Sequence, residues 1–154
     1  MKSGYHFCHT LRVRFAETDL QGVVFNANFL MYYDVAWTEY LRAIGLTYDE
    51  MIGIGVDTLL ARTEVEFLAP ARFDDVLDIY ACATGIRNTS VTVKFEVYNR
   101  QSDVLIGSAS SLYVCVDPRN HRPIQIPTDL HDRLRQSEQK SLSESGNTLP
   151  LAGQ

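Results

Sequence analysis

The stretch from Val23 to Gly45, V-V-F-N-A-N-F-L-M-Y-Y-D-V-A-W-T-E-Y-L-R-A-I-G, is apolar at helical spacing and carries only Asp34, Glu39 and Arg42 as charged groups. Phe29, Tyr33, Val35, Ala36, Trp37, Tyr40, Leu41 and Ile44 include the three- and four-residue steps of a helix. Asn26 or Asn28 can cap the start, and Gly45 can supply the left-handed residue just past the end. A helix apolar over most of its circumference predicts burial on most sides. At about 1.5 Å per residue, its roughly 18 residues extend about 27 Å. Any fold for this chain has to be built around that rod.

The flanking sequence is strand-like. Leu11 to Phe15 alternates as L-R-V-R-F, the pattern of a half-buried strand, and A-E-T-D-L-Q-G then breaks into a loop. After a connector over Thr47 to Gly55 come four segments rich in Val, Ile, Thr, Tyr and Phe: Thr58–Phe67, Val76–Ile86, Ser90–Arg100 and Val104–Val116. Turn-type runs P-A-R-F-D-D, R-N-T and N-R-Q-S-D separate them. Ten residues at about 3.3 Å give strands about 33 Å long, a match for the helix. The order strand, long helix, antiparallel meander of four strands predicts an α+β fold, a curved sheet of about five strands wrapped around one central helix. Two helices on one sheet face would require a second apolar helix between strands, and the sequence has none. A short amphipathic helix is expected from Pro127 to about Lys140. The 154 residues fit a single domain over 1–135, with 136–154 expected to be a polar, disordered tail.

Composition narrows the function. A net charge of −5 argues against nucleic acid as the main partner, though an anionic small molecule needs only a local basic spot. No run approaches the roughly 18 apolar residues of a membrane span. Cys8, Cys82 and Cys115 are scattered without a C-x-x-C pair, which points to a reduced, cytoplasmic protein. Cys82 and Cys115, among apolar strand neighbours, read as small core residues. There is no G-x-S-x-G elbow and no glycine-rich phosphate loop. His6, His9, His121 and His131 lie near the chain ends without metal-ligand spacing and read as solvated or turn residues, so neither a metal nor another cofactor is expected.

An acid just ahead of the long helix remains. The first turn of a helix leaves N–H groups unpaired and carries a positive partial charge, so it can stabilise the oxyanion formed when a carbonyl is attacked. Asp19 stands seven residues ahead of Asn26, with Gly22 between them to let the backbone approach a substrate. A carboxylate that attacks, or activates water, together with N–H donors for the carbonyl oxygen is enough for thioester hydrolysis. An acid in a D-x-x-G turn is more often a plain turn residue, and the residues alone leave both roles open. Glu17, Asp34 and Glu39 are rival acids; within the apolar helix, Asp34 and Glu39 suit hydrogen bonds or a subunit contact.

The run R-F-A-E-T-D-L-Q-G-V-V-F-N-A-N-F-L-M-Y-Y-D-V-A-W-T-E-Y-L resembles the active-site segment of hot-dog thioesterases of the 4-hydroxybenzoyl-CoA type, including the Tol–Pal-associated acyl-CoA thioesterases. V-E-F-L-A-P-A-R-F-D-D-V-L-D-I and R-P-I-Q-I-P are similar to the family's second strand with its turn and to its closing segment, so the likeness covers roughly residues 8 to 127. It implies the hot-dog fold and hydrolysis of an acyl-CoA, or acyl-carrier-protein, thioester without a cofactor. By position, Asp19 matches the catalytic aspartate, and the backbone N–H of Asn26 matches the oxyanion donor. Arg87 and Asn88 fall at the strand turn where the family presents basic residues to the CoA phosphates. This chain offers one Arg where the family has a cluster, and Asn where relatives often carry Tyr or His, so no side-chain role carries over at 26. One sheet around one helix leaves open strand edges, which predicts a homodimer with its sheets joined edge to edge and each site completed by the partner; the family also forms homotetramers. A non-catalytic acyl-CoA-binding module and a hot-dog dehydratase are the alternatives. The first has no use for Asp19, and the second needs a His that the central segment lacks.

Overall fold

The structure, a computed structural model, describes the backbone of residues 1–145 and the side-chain surroundings of residues 1–139. Helix α1 spans Asn28–Ala43. It ends as the glycine predicts: Gly45 adopts φ +82°. Its N–H bonds the Arg42 carbonyl at 3.0 Å, and the Leu46 N–H reaches back to Leu41 at 2.9 Å, a double closure of the last turn. The start differs from expectation. Ala27 is the cap residue and neither Asn26 nor Asn28 caps through its side chain; Asn28 instead donates to the Glu17 carbonyl at 2.8 Å, tying the helix to the loop before it.

Phe29, Tyr32, Tyr33, Ala36, Trp37, Tyr40 and Leu41 bury one face of α1. Burial on most sides is not what this chain achieves, since Leu30, Met31 and Val35 on the other face stay exposed.

The buried face meets a five-stranded sheet in the order β1-β3-β4-β5-β2, built from β1 (Phe7–Arg12), β2 (Asp57–Phe67), β3 (Val76–Ile86), β4 (Ser90–Asn99) and β5 (Leu105–Val116). All neighbours are antiparallel. Alternate residues Val91, Val93, Phe95 and Val97 of β4, with Leu77, Ile79 and Ala81 of β3, turn toward the helix.

Two expectations are corrected. The first strand lies at Phe7–Arg12, not Leu11–Phe15, because F-C-H-T-L-R pairs with β3 from Phe7↔Ala81 to Arg12↔Val76; Phe15–Glu17 forms a 3-10 turn. The four later strands are also not one meander. Only β3, β4 and β5 follow in order, while β2 crosses to the far edge and pairs with β5. With β1 already on β3, the edge of β5 is the one left for β2. Short helix α2 (Tyr48–Gly53) carries a Thr47 and Glu50 capping box ahead of β2.

Helix α3 (Thr128–Ser145) buries Leu130 and Leu134 completely, each worth about 1.5–3 kcal/mol of burial. It runs past the expected limit, so the segment assigned to a tail from residue 136 is helical as far as Ser145. The physical reason is Glu138: its carboxylate accepts from Tyr40 Oη at 2.6 Å and from the Ala83 N–H at 2.8 Å, docking the helix beyond its apolar stripe. The rest of the expected tail, 146–154, lies outside the described residues.

Candidate active site

The loop between β1 and α1 is fixed from below by Glu17. Its carboxylate is buried and accepts from the Arg14 N–H at 2.9 Å, Arg14 Nε at 2.7 Å and Tyr32 Oη at 2.7 Å. Burial alone would raise its pKa, but the backbone N–H of Arg14, the Tyr32 hydroxyl and the Arg14 guanidinium outweigh it and hold the group below the usual carboxylate range. Backbone bonds from Phe25 N–H to Glu17 O (2.9 Å) and Val24 N–H to Ala71 O (2.8 Å) then draw the end of the loop against the β2–β3 connection.

Asp19 occupies the tip, half-buried, inside a small bridge of Thr18 with Val24. Its N–H bonds Val23 O at 3.0 Å, its carbonyl receives the Gly22 N–H at 2.9 Å, and Oδ1 receives the Gln21 N–H at 2.8 Å. Gly22 stands at φ +75°, a conformation L side chains rarely adopt, so the turn requires glycine. No hydrogen bond among the described residues occupies Asp19 Oδ2 or the N–H of Asn26. Asn26 lines a cavity of about 290 Å³ together with Val24, Phe29, Phe67 and Leu68.

Asp19, Gly22 and Asn26 thus come together within one loop, at the end of the sheet where β2 finishes and β3 begins. Arg87 and Asn88 do not join them. They sit in the β3–β4 turn, beside a cavity of about 250 Å³ with Gln125 and His131, about 33 Å along β3 from its start at Val76. A cation that sequence reasoning missed is Arg72, whose Nη1 makes a long 3.5 Å contact to the Gly22 carbonyl; its signal was the P-A-R-F-D-D turn.

The rival acids have other occupations. Glu17 braces the loop, and Glu39 is ion-paired with Arg42 one turn on. Asp34 is exposed on α1 beside a separate cavity of about 360 Å³ with Trp37, Thr58 and Tyr113. Burial pushes the Cys82 and Cys115 thiols up to about 11, which makes them poor nucleophiles. His6 is a correction. It is not solvated but bridges β1 to α3, with Nε2 2.5 Å from Ser137 Oγ and Nδ1 3.6 Å from Glu138. The order Ser137, His6, Glu138 imitates a nucleophile–base–acid relay. Ser137, however, lies within a helix whose N–H groups are already engaged, so no oxyanion donor faces it. A larger cavity than that beside Asn26, about 770 Å³, opens beside this bridge at the C-terminal end of α1, away from Asp19.

Residues 13–134 match the thioesterase-like superfamily. The chain is 32% identical over 126 residues to the acyl-CoA thioester hydrolase YbgC of Escherichia coli O6:H1, covering 82% of this chain and 93% of the relative. It is 25% identical over 125 residues to the acyl-CoA thioesterase YbgC of Haemophilus influenzae, covering 80% and 90%. The fold is similar to that of a 1,4-dihydroxy-2-naphthoyl-CoA thioesterase from Synechocystis, with a TM-score of 0.76, 23% identity, and 84% and 95% of the two chains covered. No helix among the described residues is long and apolar enough to cross a membrane.

Proposed function

Because this chain belongs to the thioesterase-like superfamily and hydrolyses acyl-CoA thioesters, we propose that Asp19 is the carboxylate of the reaction and that the backbone N–H of Asn26 binds the thioester oxygen. The observation carrying this is that one loop holds both a carboxylate oxygen and an N–H without a hydrogen-bond partner among the described residues, the N–H belonging to a residue that lines a cavity. A thioester seated there has its carbonyl oxygen at the helix N-terminus, where negative charge is favoured. Water bonds to the acyl carbon as its proton passes to Asp19; the C–S bond then breaks and the thiolate takes the proton, leaving acid and thiol. In the covalent variant the carboxylate oxygen itself bonds to the acyl carbon and expels the thiolate, and water opens the resulting anhydride.

The proposal includes a homodimer. Strand β2 presents a long free edge, and Leu59, Leu60 and Phe67 on it are exposed. A second chain paired along β2 would cover them. Arg87, at the far end of the sheet from its own Asp19, would then read CoA phosphates for a neighbouring subunit's site. Free Cys8, Cys82 and Cys115 suit a reducing cytoplasm. The test is release of free thiol from a panel of aromatic, short and long acyl-CoAs: turnover of at least one class is expected, and none on any member would contradict the proposal.

A further inference from the structure

The cavity of about 360 Å³ beside Asp34 lies among α1, α2, the start of β2 and Tyr113 of β5. Its volume is that of a small-ligand site. Trp37 stands nine residues beyond Asn28, about 13.5 Å along α1, so this space is apart from the Asp19 loop. Its floor is apolar. Trp37 and Tyr113 are buried and stack at 5.0 Å with 20° between their planes. Buried Leu41, Leu46 and Met51 complete it. The indole is fixed by its N–H, which donates to Thr58 Oγ1 at 3.3 Å.

The polar groups on this floor are all acceptors or acids. Asp34 and Asp57 line the cavity, and among the described residues no Lys, Arg or His does. Asp57 accepts only from uncharged donors, the Thr58 N–H at 2.7 Å and Tyr48 Oη at 3.2 Å. Asp34 has no ion pair and no hydrogen bond among the described residues, and it is exposed. Tyr113 is the independent sign of a ligand. Its side chain is 3% exposed, yet its hydroxyl has no hydrogen-bond partner among the described residues. The hydroxyls of Tyr5 and Tyr33 are sealed in the interior without partners, whereas that of Tyr113 opens on the cavity. Burial drives its pKa upward, and the Asp34 carboxylate drives it the same way, so the two groups share one space. A buried hydroxyl without a partner is a cost that a bound donor removes.

We propose that this cavity is a second binding site, one that takes a primary ammonium group carried on a compact apolar body. Asp34 and Asp57 balance the charge, Tyr113 Oη accepts one N–H, and the floor beside Trp37 covers the body. Charge-assisted bonds of this kind are the strong ones, and a wall of apolar side chains reduces their screening. An anionic ligand of the same shape is repelled by both carboxylates. The mouth adjoins the free edge of β2, so the rival occupant is a cation from a second chain. The proposal does not rest on the thioesterase site, because its test reads binding alone.

Trp37 is the only tryptophan of the chain, so its fluorescence reports occupancy of the cavity directly. The probes are phenethylamine, its neutral analogue 2-phenylethanol and the anionic 3-phenylpropionate, each titrated into the full chain. Phenethylamine should change the fluorescence saturably, with a Kd of about 1 mM or tighter. It should bind at least about 10-fold more tightly than either analogue, and added salt should shrink that preference. Asp34→Asn, at an exposed position that folding does not depend on, should weaken the amine roughly 10-fold and leave 2-phenylethanol unchanged. Tyr113→Phe, which keeps the stacked ring, should weaken it roughly 3- to 10-fold. No saturable change with phenethylamine, equal binding of the three probes, or an amine affinity that Asp34→Asn does not move would each overturn the proposal. Absence of amine binding together with dissociation of an oligomer in Asp34→Asn, followed by light scattering, would overturn it in favour of the second chain's cation.

Discussion

Glu17 and Asp19 stand two residues apart and are held in opposite ways. Glu17 gives both carboxylate oxygens to Arg14 and Tyr32, whereas Asp19 spends one oxygen on a turn N–H and keeps the other open. A buried, fully bonded acid is an anchor, and a half-buried acid with a free oxygen is available for chemistry. Because folding lowers the pKa of Glu17, its contribution is fully present above the unfolded value, about 4.3, and is lost as pH falls through the lower folded value. Glu17→Gln should therefore cost about 1–3 kcal/mol at pH 7, and its deficit against wild type should narrow below about pH 4. Urea unfolding at a series of pH values checks this; a deficit that widens toward acid would contradict it. The anchor was not legible in sequence, where Glu17 and Asp19 read alike as loop acids. What separates them is Tyr32, fifteen positions away, whose hydroxyl arrives only when the helix docks.

The elements themselves were mostly legible, for reasons particular to each. The long helix announced itself by period, and Gly45 marked its end because its position takes a positive φ. The start was misplaced because Ala27 caps with backbone alone and Asn28 uses its side chain on Glu17. The strand β1 was misplaced because C-H-T has no alternation of its own and is ordered by the edge of β3. Pairing of β2 was misread since adjacency in sequence favours a hairpin with β3, an edge that β1 had taken. Helix α3 ran long because Glu138 finds Tyr40 and the Ala83 N–H, neither signalled locally. Glu138→Ala strands both donors, one of them buried Tyr40, and should cost about 2 kcal/mol; Glu138→Gln, which keeps an acceptor, should cost less. Equal losses in chemical denaturation would show that α3 is held by Leu130 and Leu134 alone.

At the scale of the molecule, Asp19 and Asn26 lie at one end of the sheet and Arg87 at the other, so the phosphate role proposed for Arg87 would serve the site of a neighbouring subunit. Light scattering at micromolar concentration should give the mass of two or four chains, and a stable, active monomer would contradict the dimer. Arg87→Ala should raise KM for acyl-CoA roughly 5- to 30-fold, the loss of one charge-assisted contact, with kcat nearly unchanged. The effect should shrink in salt and vanish on a pantetheine thioester that lacks the nucleotide; an equal effect on that truncated substrate would remove the phosphate role. The account turns most directly on kcat for Asp19→Asn, measured with the best acyl-CoA of the panel. The substitution keeps the shape of the loop and the Gln21 contact while removing the carboxylate. Turnover should fall by on the order of 10²–10⁴-fold with unfolding temperature unchanged. Turnover near wild type would contradict Asp19 as the catalytic carboxylate.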